Sequence, residues 1–464
     1  MTTGNEQLRR AITEAGCSYA ELARDVRTVG AESGVATLRT NSSAVAHWIA
    51  GTQPHATAAR ILAETLSRKL GRLVTPEQLG LVRAAETTDH SLGLEMEQDP
   101  VDALTRLGRA DIERRTWISS AAYSVPAAAL PATAAAAAAA SVPRPRTPTA
   151  VRPHGTAGDG QIQAVREMTT LFTAIDERHG GQHGRSAVVQ YLVSDVATLC
   201  RTRFRTEAQK QRMLSAAACV AYLAGWKAYD AAEAGLAQRY YLQAFKLTQE
   251  AGNEPHTAFI LRVLAHHGME TGRSEHTLDL IDAALTRVKG RTDPASESLY
   301  VVTRARALAM AGRGREAVAE AARAARLVDG ADEREMPFWA ALWGSAGACV
   351  GTHTAKTAEL LGDYGIAERH FSQALWSASG SAYQRITALS LAHAGSMQCR
   401  QGYVEQACAT WGKALELMDG VRSARIVRAA RSMRRDLAPF AHRGSQAAVD
   451  FDERARLWPA GEHA

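Results

Sequence analysis

The sequence predicts an all-α protein: a small N-terminal bundle of short helices, a linker, and a C-terminal α-solenoid of helical repeats. Three observations support this fold class. Apolar residues recur at helical spacing between residues 5 and 82, an alanine- and proline-rich run follows, and one four-residue pattern then recurs five times. Alanine, the strongest helix former, supplies much of the apolar content of 46%, whereas aromatic residues make up 6%.

Length, charge and cysteine usage limit the classes of protein to consider. A chain of 464 residues is too long for one ordinary core, so two or three domains are expected. The net charge of +6 is compatible with nucleic acid binding but does not require it. The six cysteines form no C-x-x-C pair and no zinc spacing with histidine, and the N-terminus lacks the apolar segment of a secretory signal. We therefore expect reduced thiols, no bound metal, no membrane span and a cytoplasmic location.

Four short helices are predicted at the start of the chain. The second, "SYAELARDVRTVG", begins with a capping box formed by Ser18 and Glu21. The third, "TNSSAVAHWIAG", offers Asn41 or Ser42 as its N-cap, and the fourth starts at Pro54. Their predicted buried faces contain Leu8, Ala11, Ile12, Ala15, Leu22, Ala23, Val26, Val45, Trp48, Ile49, Ile61, Leu62, Leu66 and Leu70.

The third helix has one apolar edge and one outer edge of small polar residues, which is typical of the recognition helix of a helix-turn-helix domain. Such a helix lies in the major groove of double-stranded DNA, where hydroxyl, imidazole and methyl groups contact base edges. Because one such domain buries little DNA surface, a homodimer on two half-sites is expected. The candidate DNA-binding residues are Arg39, Asn41, Ser42, Ser43, Ala44, His47, Thr52, Gln53 and Arg60.

Two features favour the alternative, a helical bundle that binds no DNA. The connection from Val29 to Thr40 is longer than the usual short turn, and the third helix contains no lysine or arginine. Residues 1–85 carry ten Lys and Arg against seven Asp and Glu, a surplus of three. The sequence therefore allows two functions: a DNA-binding regulator, or a repeat scaffold whose N-terminal domain binds protein.

Three segments carry a resemblance to a known family: "LRRAITEAGCSYAELARDV", "NSSAVAHWIAGTQP" and "ILAETLSRKLGRLVTPEQLGL". They are similar to the N-terminal domain of actinomycete helix-turn-helix regulators (XRE/Cro-CI-like) that carry a C-terminal tetratricopeptide-repeat domain. The resemblance is close over residues 5–130. Over the rest of the chain it lies only in the order of the domains. It implies a cytoplasmic, DNA-binding transcriptional regulator of differentiation or secondary metabolism.

The run "DIERRTWISSAAYSVPAAALPATAAAAAAASVPRPRTP" has three possible interpretations: an export signal, a membrane span or a linker. The pair Arg114 and Arg115 resembles a twin-arginine signal, and the uncharged stretch is long enough to span a bilayer. The stretch is only weakly apolar, however, Pro126 and Pro131 interrupt it, and a folded domain precedes it, which favours a linker. We predict a helix-turn-helix domain at 1–85, a connecting helix at 86–123, the linker at 124–160, a repeat domain at 161–445 and a tail at 446–464.

One pattern recurs five times after the linker. Each copy starts with a small residue, and the other three positions of the pattern follow five, nine and twelve residues later. Successive copies start 40, 40, 50 and 40 residues apart. The pattern resembles tetratricopeptide repeats, in which small residues let two antiparallel helices pack closely. The copies contain Ala232, Ala237, Tyr241 and Ala244; Gly272, Thr277, Ile281 and Ala284; Gly312, Ala317, Ala321 and Ala324; Gly362, Ala367, Phe371 and Ala374; Gly402, Ala407, Trp411 and Ala414.

The first helix of each tetratricopeptide pair lines a concave face, which binds a peptide, a small molecule or a partner protein. No nucleophile–base pair, phosphate loop or metal-ligand spacing stands out, so we expect no enzymatic activity and no cofactor. Arginines recur every three residues from Arg422 to Arg434, which predicts a solvated capping helix or, alternatively, contact with DNA or an acidic partner. The candidate ligand-binding residues are Trp226, Tyr229, Arg262, His266, Arg304, Trp343 and His353, with Lys356 and Gln398 on the same set of helices.

Overall fold

Helices form nearly all of the regular structure in the described part of the chain, which confirms the predicted all-α class. The two exceptions are short parallel strands, β1 (Thr156–Ala157) and β2 (Arg203–Phe204). Arg114, Arg115 and the run around them lie outside the described residues, so the linker stays a prediction. The computed structural model describes residues 4–32, 38–70, 74–76, 78–81, 92–94, 96, 98–112, 156–274, 276–376, 383–441 and 445–458.

The described residues form two compact units. The first contains residues 4–112 together with 233–243, and the second contains residues 156–232 and 244–458. None of the helices in these ranges is long and apolar enough to cross a membrane. All six cysteines are free thiols.

Four helices enclose the core of the first unit, as the apolar spacing predicts. Their buried residues include the predicted leucines, isoleucines and valines together with Trp48, while Ala15 and Leu70 pack at the edge of the core. The helices are α1 (Glu6–Glu14), α2 (Tyr19–Glu32), α3 (Ser42–Ile49) and α4 (Ala56–Leu70).

The ends of these helices follow local side-chain chemistry. The predicted capping box is present: Glu21 Oε2 accepts from the Ser18 backbone N–H at 2.8 Å, and Ser18 Oγ accepts from the Glu21 backbone N–H at 3.3 Å. Asn41, rather than Ser42, is the N-cap of α3, because its side chain accepts from the backbone N–H of Ala44. The predicted start of the fourth helix at Pro54 is two residues early, since the first helical hydrogen bond of α4 ends at the carbonyl of His55.

A fifth helix, α5 (Pro100–Ile112), belongs to the first unit and lies in the region predicted as a connecting helix. Asp99 starts it by accepting hydrogen bonds from the backbone N–H groups of Val101 and Asp102. Near its end, the Asp111 carboxylate accepts from the Tyr240 hydroxyl at 2.8 Å. Residues 233–243 are therefore tied to this helix by a buried hydrogen bond.

The second unit begins with helices that precede the repeats and then continues as helix pairs. We call the first helix of each pair the A helix and the second the B helix. The preceding helices are α6 (Asp159–His179), α7 (Arg185–Tyr191), a π-helical turn (Leu192–Val196) and α8 (Ala197–Arg201). The A helices are α9 (Glu207–Asp230), α11 (Glu254–Glu270), α13 (Pro294–Met310), α16 (Ala346–Leu360) and α18 (Gln384–Arg400). The B helices are α10 (Ala234–Glu250), α12 (Thr277–Val288), α14 (Gly314–Asp329), α17 (Tyr364–Trp376) and α19 (Val404–Met418). Residues 234–243 of α10 are grouped with the first unit. The pair α20 (Ala424–Ala441) and α21 (Gln446–Leu457) follows.

The five-copy pattern corresponds to these pairs. The first residue of every copy lies in the turn between the A and B helices and has a positive φ: 66° at Ala232, 73° at Gly272, 74° at Gly312, 80° at Gly362 and 89° at Gly402. The later positions of the pattern are buried at every described side chain, from Ala237 to Ala414. Glycine suits the turn because a left-handed backbone is strained for residues with a Cβ. The tetratricopeptide-like architecture is therefore confirmed.

An insertion accounts for the one interval of 50 residues instead of 40. Residues 330–345 separate α14 from α16 and contain a 3₁₀ turn (Glu333–Glu335) and the short helix α15 (Phe338–Ala341). Glu333 anchors the insertion, since its carboxylate accepts from the Ser345 hydroxyl and the Gly347 backbone N–H, both at 2.9 Å. The repeat thus keeps its helix pairs and changes only in the connection between them.

Candidate functional site

The outer edge of α3 carries residues that were predicted to contact DNA. Ser42, Ser43 and His47 are exposed, while the opposite edge of the helix belongs to the core. Asn41 Oδ1 accepts from the half-buried Ala44 backbone N–H at 2.8 Å, so this side chain serves to start the helix. The edge therefore presents two hydroxyls and one imidazole to solvent.

The residues that flank α3 differ in their accessibility. Arg39 and Thr52 are exposed. Gln53 is also exposed, and its side-chain amide donates to the Gly80 carbonyl at 3.1 Å. Arg60 is half-buried, and burial lowers the pKa of its guanidinium. Of the two arginines among the candidate DNA-binding residues, Arg39 is the more available to a partner.

A second candidate site lies in the repeat domain, on one face of the A helices. The residue six positions before each repeat turn shares this face: Trp226, His266, Arg306, Lys356 and Ser396. We call these residues, with the side chains they contact, the A-helix stripe. Because the offset from the turn is constant, each helix presents this position at the same rotation about its axis.

Glu270 is the centre of one half of the A-helix stripe. Its Oε1 accepts from Arg306 Nη1 at 2.6 Å and Lys356 Nζ at 2.5 Å, and its Oε2 accepts from the Tyr229 hydroxyl at 3.1 Å. His266 Nε2 lies 3.6 Å from the same carboxylate. Burial opposes ionisation of Glu270, but Lys356 and Arg306 outweigh it and hold its pKa well below the usual value. Burial in turn lowers the pKa of Lys356 to about 8.

Arg385 of α18 is the centre of a second, fully buried group. Its Nη2 donates to Asp176 at 2.7 Å and to Glu177 at 2.6 Å, and its Nη1 lies 3.4 Å from Asp230. Lys227 Nζ donates to the other oxygen of Asp176 at 3.0 Å. Burial alone would raise the pKa of Asp176, but Arg385 and Lys227 outweigh it and lower that pKa. This group joins α6, α9 and α18 through charges that are far apart in sequence.

Aromatic rings connect the two charged groups. The Arg425 guanidinium lies 5.2 Å from the Trp226 ring centroid and 5.5 Å from that of Tyr229, within cation–π range. The Tyr222 ring meets Trp343 edge-on, with centroids 4.1 Å apart. Arg425 therefore departs from the predicted solvated helix: its side chain is largely buried because α20 turns this residue towards the rings of α9.

Arg262 is a buried cation whose hydrogen-bond partners are all neutral. Its Nε donates to the Leu299 carbonyl and to Thr303 Oγ1, both at 3.0 Å, and its Nη2 donates to Cys349 Sγ at 3.0 Å. Across the described residues, none of the ion pairs includes Arg262. The guanidinium is thus held in place without a carboxylate counterion.

The A-helix stripe contains four of the seven residues predicted to bind a ligand: Trp226, Tyr229, His266 and His353. Arg262 lies one turn before His266 on α11, and Trp343 lies beside the stripe, where it contacts Tyr222. Arg304 lies on another face of α13 and pairs with Asp282 and Glu320 of the B helices at 2.6 and 3.4 Å. It stands eight positions before the turn at Gly312, whereas Arg306 stands six before it. The constant offset from the turn is the signal that would have identified Arg306 from the sequence.

Comparison with known proteins gives a match to part of the first unit. A family model described as the SP15 N-terminal domain matches residues 8–82. None of the curated proteins matches the chain. Among solved structures, the chain is similar to the crystal structure of a signal transduction ATPase with numerous domains (STAND) that has a tetratricopeptide repeat sensor, from Pyrococcus horikoshii. The identity is 12%, the TM-score is 0.34, and the alignment covers 86% of this chain and 69% of that one. The fold assignment rests on the helix pairs themselves and not on this similarity.

Proposed function

We propose that the protein is a cytoplasmic transcriptional regulator that binds double-stranded DNA through its first unit and senses a ligand or partner through its repeat domain. The observation that carries the proposal is the division of α3 into a core edge and an exposed edge with Ser42, Ser43 and His47. A helix packed in this way can enter the major groove without disturbing the core that holds it. The proposal includes no catalytic step.

Phosphate contacts would position the domain on DNA, and base contacts would give specificity. Arg39 is exposed next to the start of α3 and is suited to a phosphate. The hydroxyls of Ser42 and Ser43 and the His47 imidazole are suited to base edges. Because this surface is small, we propose that a homodimer occupies two half-sites.

A repeat scaffold without direct DNA binding is the second candidate. It is favoured by the burial of Arg60 and by the lack of lysine and arginine in α3, since both reduce the number of phosphate contacts. In that case, the exposed edge of α3 would contact a protein.

Genome-wide DNA occupancy of the tagged protein distinguishes these candidates. The regulator should occupy discrete sites, and replacing Ser42, Ser43 and His47 together by alanine should abolish that occupancy. Thr28→Ala provides the control, because this residue is exposed on α2 and is not part of the exposed edge of α3. Loss of occupancy in the triple variant alone supports direct binding when the purified wild-type protein also binds a duplex from an occupied site and the purified triple variant does not. Occupancy that persists in the triple variant identifies an indirect, protein-mediated contact.

A further inference from the structure

We infer that the A-helix stripe around Arg262 is a binding site for a small ligand that carries a carboxylate or a phosphate group. The inference rests on the proposed function, because it identifies the ligand class of the sensing domain. Its starting point is that Arg262 is buried and held by a carbonyl, a hydroxyl and a thiol, all of them neutral. A buried charge without a counterion is costly, and a bound anion would remove that cost.

The charges around Arg262 support the same conclusion. Arg306 and Lys356 share the single carboxylate of Glu270. Arg262 stands about two turns before Glu270 on the same helix, α11. These positions of α11, α13 and α16 thus supply three cations and one carboxylate. The Nε of Arg306 is buried and lacks a hydrogen-bond partner, which leaves a donor in this group unused. A ligand with one or two negative charges would balance the group.

His353 stands one turn of α16 after Cys349, the residue that accepts from Arg262 Nη2. Burial, then the neighbouring His266, and then Arg262, Arg306 and Lys356 hold the pKa of His353 well below its usual value. The ring of His353 lies 5.3 Å from that of His266, between α11 and α16. Both imidazoles are neutral at physiological pH and can donate a hydrogen bond to an anion without adding charge.

The aromatic residues of α9 favour an organic anion over an inorganic ion. Trp226 and Trp343 are half-buried, and Tyr222 connects them at the edge of the charged group. Arginine binds carboxylate and phosphate oxygens with two parallel hydrogen bonds, and flat rings accept the apolar part of such a molecule. We therefore expect tighter binding when the anionic group is attached to a ring.

Tryptophan fluorescence of the full-length protein provides the test, with benzoate, inorganic phosphate and neutral benzamide titrated at constant ionic strength. Benzoate should bind more tightly than inorganic phosphate, because its ring adds contacts with the aromatic side chains, and benzamide should not bind. Arg262→Gln should weaken anion binding by about tenfold or more, because one charge-assisted hydrogen-bonding group is lost. Arg323→Gln is the control, since that arginine is exposed on the B helix α14.

Arg306→Gln is a second variant, which tests the inference if Arg262→Gln does not fold. It should also weaken anion binding, because the surplus of positive charge decreases. Equal binding of benzamide and benzoate, or unchanged anion binding in either variant, would overturn the inference, as would a wild-type protein that binds neither anion. DNA binding is measured on the same samples without anion. A wild-type protein that binds an anion but no DNA refutes the proposed function alone, whereas a wild-type protein that binds DNA but neither anion refutes this site alone.

Discussion

Arg385 and Asp176 form a fully buried ion pair of 2.7 Å between residues 209 positions apart in the chain. The pair connects the helix before the repeats, α6, to the A helix of the fifth pair. Glu177 and Asp230 lie beside the same guanidinium. The contact therefore joins the two ends of the repeat array through one side chain.

Replacing Arg385 by methionine should destabilise the repeat domain by about 3–5 kcal/mol, because three carboxylates lose their main buried counterion. Arg434→Met is a matched control: its ion pair with Asp452 is about 40% exposed on both sides. An exposed pair contributes less than about 1 kcal/mol. Chemical denaturation followed by circular dichroism measures both, and equal losses in the two variants would show that the Arg385 group is not structural.

Ala232 should gain stability when it is replaced by glycine. It is the one residue other than glycine with a positive φ, 66°, among the described residues, and it occupies the turn position that is glycine in the four other copies. Relief of the left-handed strain should stabilise the fold by up to about 1 kcal/mol. The reverse change, Gly312→Ala, should destabilise the fold by a similar amount. Nothing lies near enough to obstruct a Cβ there, so the strain of the left-handed backbone alone sets the cost. Thermal unfolding of both variants checks the prediction. Midpoint temperatures that shift in the same direction in the two variants would contradict it.

Stability should decline as the pH falls below about 6.5, in part through His256. Burial lowers the pKa of this imidazole to about 3, and its ring stacks on Trp339 at 5.1 Å. The unfolded chain takes up the proton near pH 6.5, so the stability due to neutral His256 is complete above that pH. Between about pH 6.5 and 3 the loss should be about 1.4 kcal/mol per pH unit for this residue.

Denaturation at pH 5 and pH 7 measures this effect. His256→Gln should reduce the difference in unfolding free energy between the two values, whatever its effect on stability at pH 7. His393 should contribute in the same direction, because burial also lowers its pKa to about 3. A pH dependence identical to that of the wild type would show that His256 is not protonated on unfolding.

The repeat turns and their buried positions could be predicted from the sequence because both restrict residue type. A left-handed turn favours glycine, as at Gly272 and Gly402, and a close approach of two helices favours alanine, as at Ala317 and Ala407. The start of α3 was limited to two residues for the same reason, since only a few side chains cap a helix.

The A-helix stripe could be predicted only in part, because polar side chains do not reveal which way they face. Arg304 and Arg306 are two positions apart and chemically identical, yet one pairs with B helices and the other with Glu270. Arg425 has the spacing of a solvated helix, and its burial depends on the rings of α9, which are far away in the sequence. Such tertiary contacts are absent from any local pattern.

Salt should weaken DNA binding by the first unit, because phosphate contacts release counterions from the duplex. With few exposed arginines around α3, we expect a shallow slope of log affinity against log salt, about −0.9 for each phosphate neutralised. Fluorescence anisotropy with a duplex taken from an occupied genomic site measures this slope. Arg39→Gln should reduce it by about one contact. A slope of zero would exclude phosphate contacts and favour the scaffold.

His47 and Trp48 are adjacent in sequence and should respond in opposite ways to replacement by alanine. His47 is exposed, so its removal should leave the fold intact and weaken binding to the specific duplex by about 1–3 kcal/mol, with little change on a scrambled duplex. Trp48 is 8% exposed and belongs to the core, so its removal should cost about 3–5 kcal/mol and unfold the unit. Circular dichroism and anisotropy separate the two effects. If the His47 variant binds both duplexes as the wild type does, α3 does not read DNA through this edge.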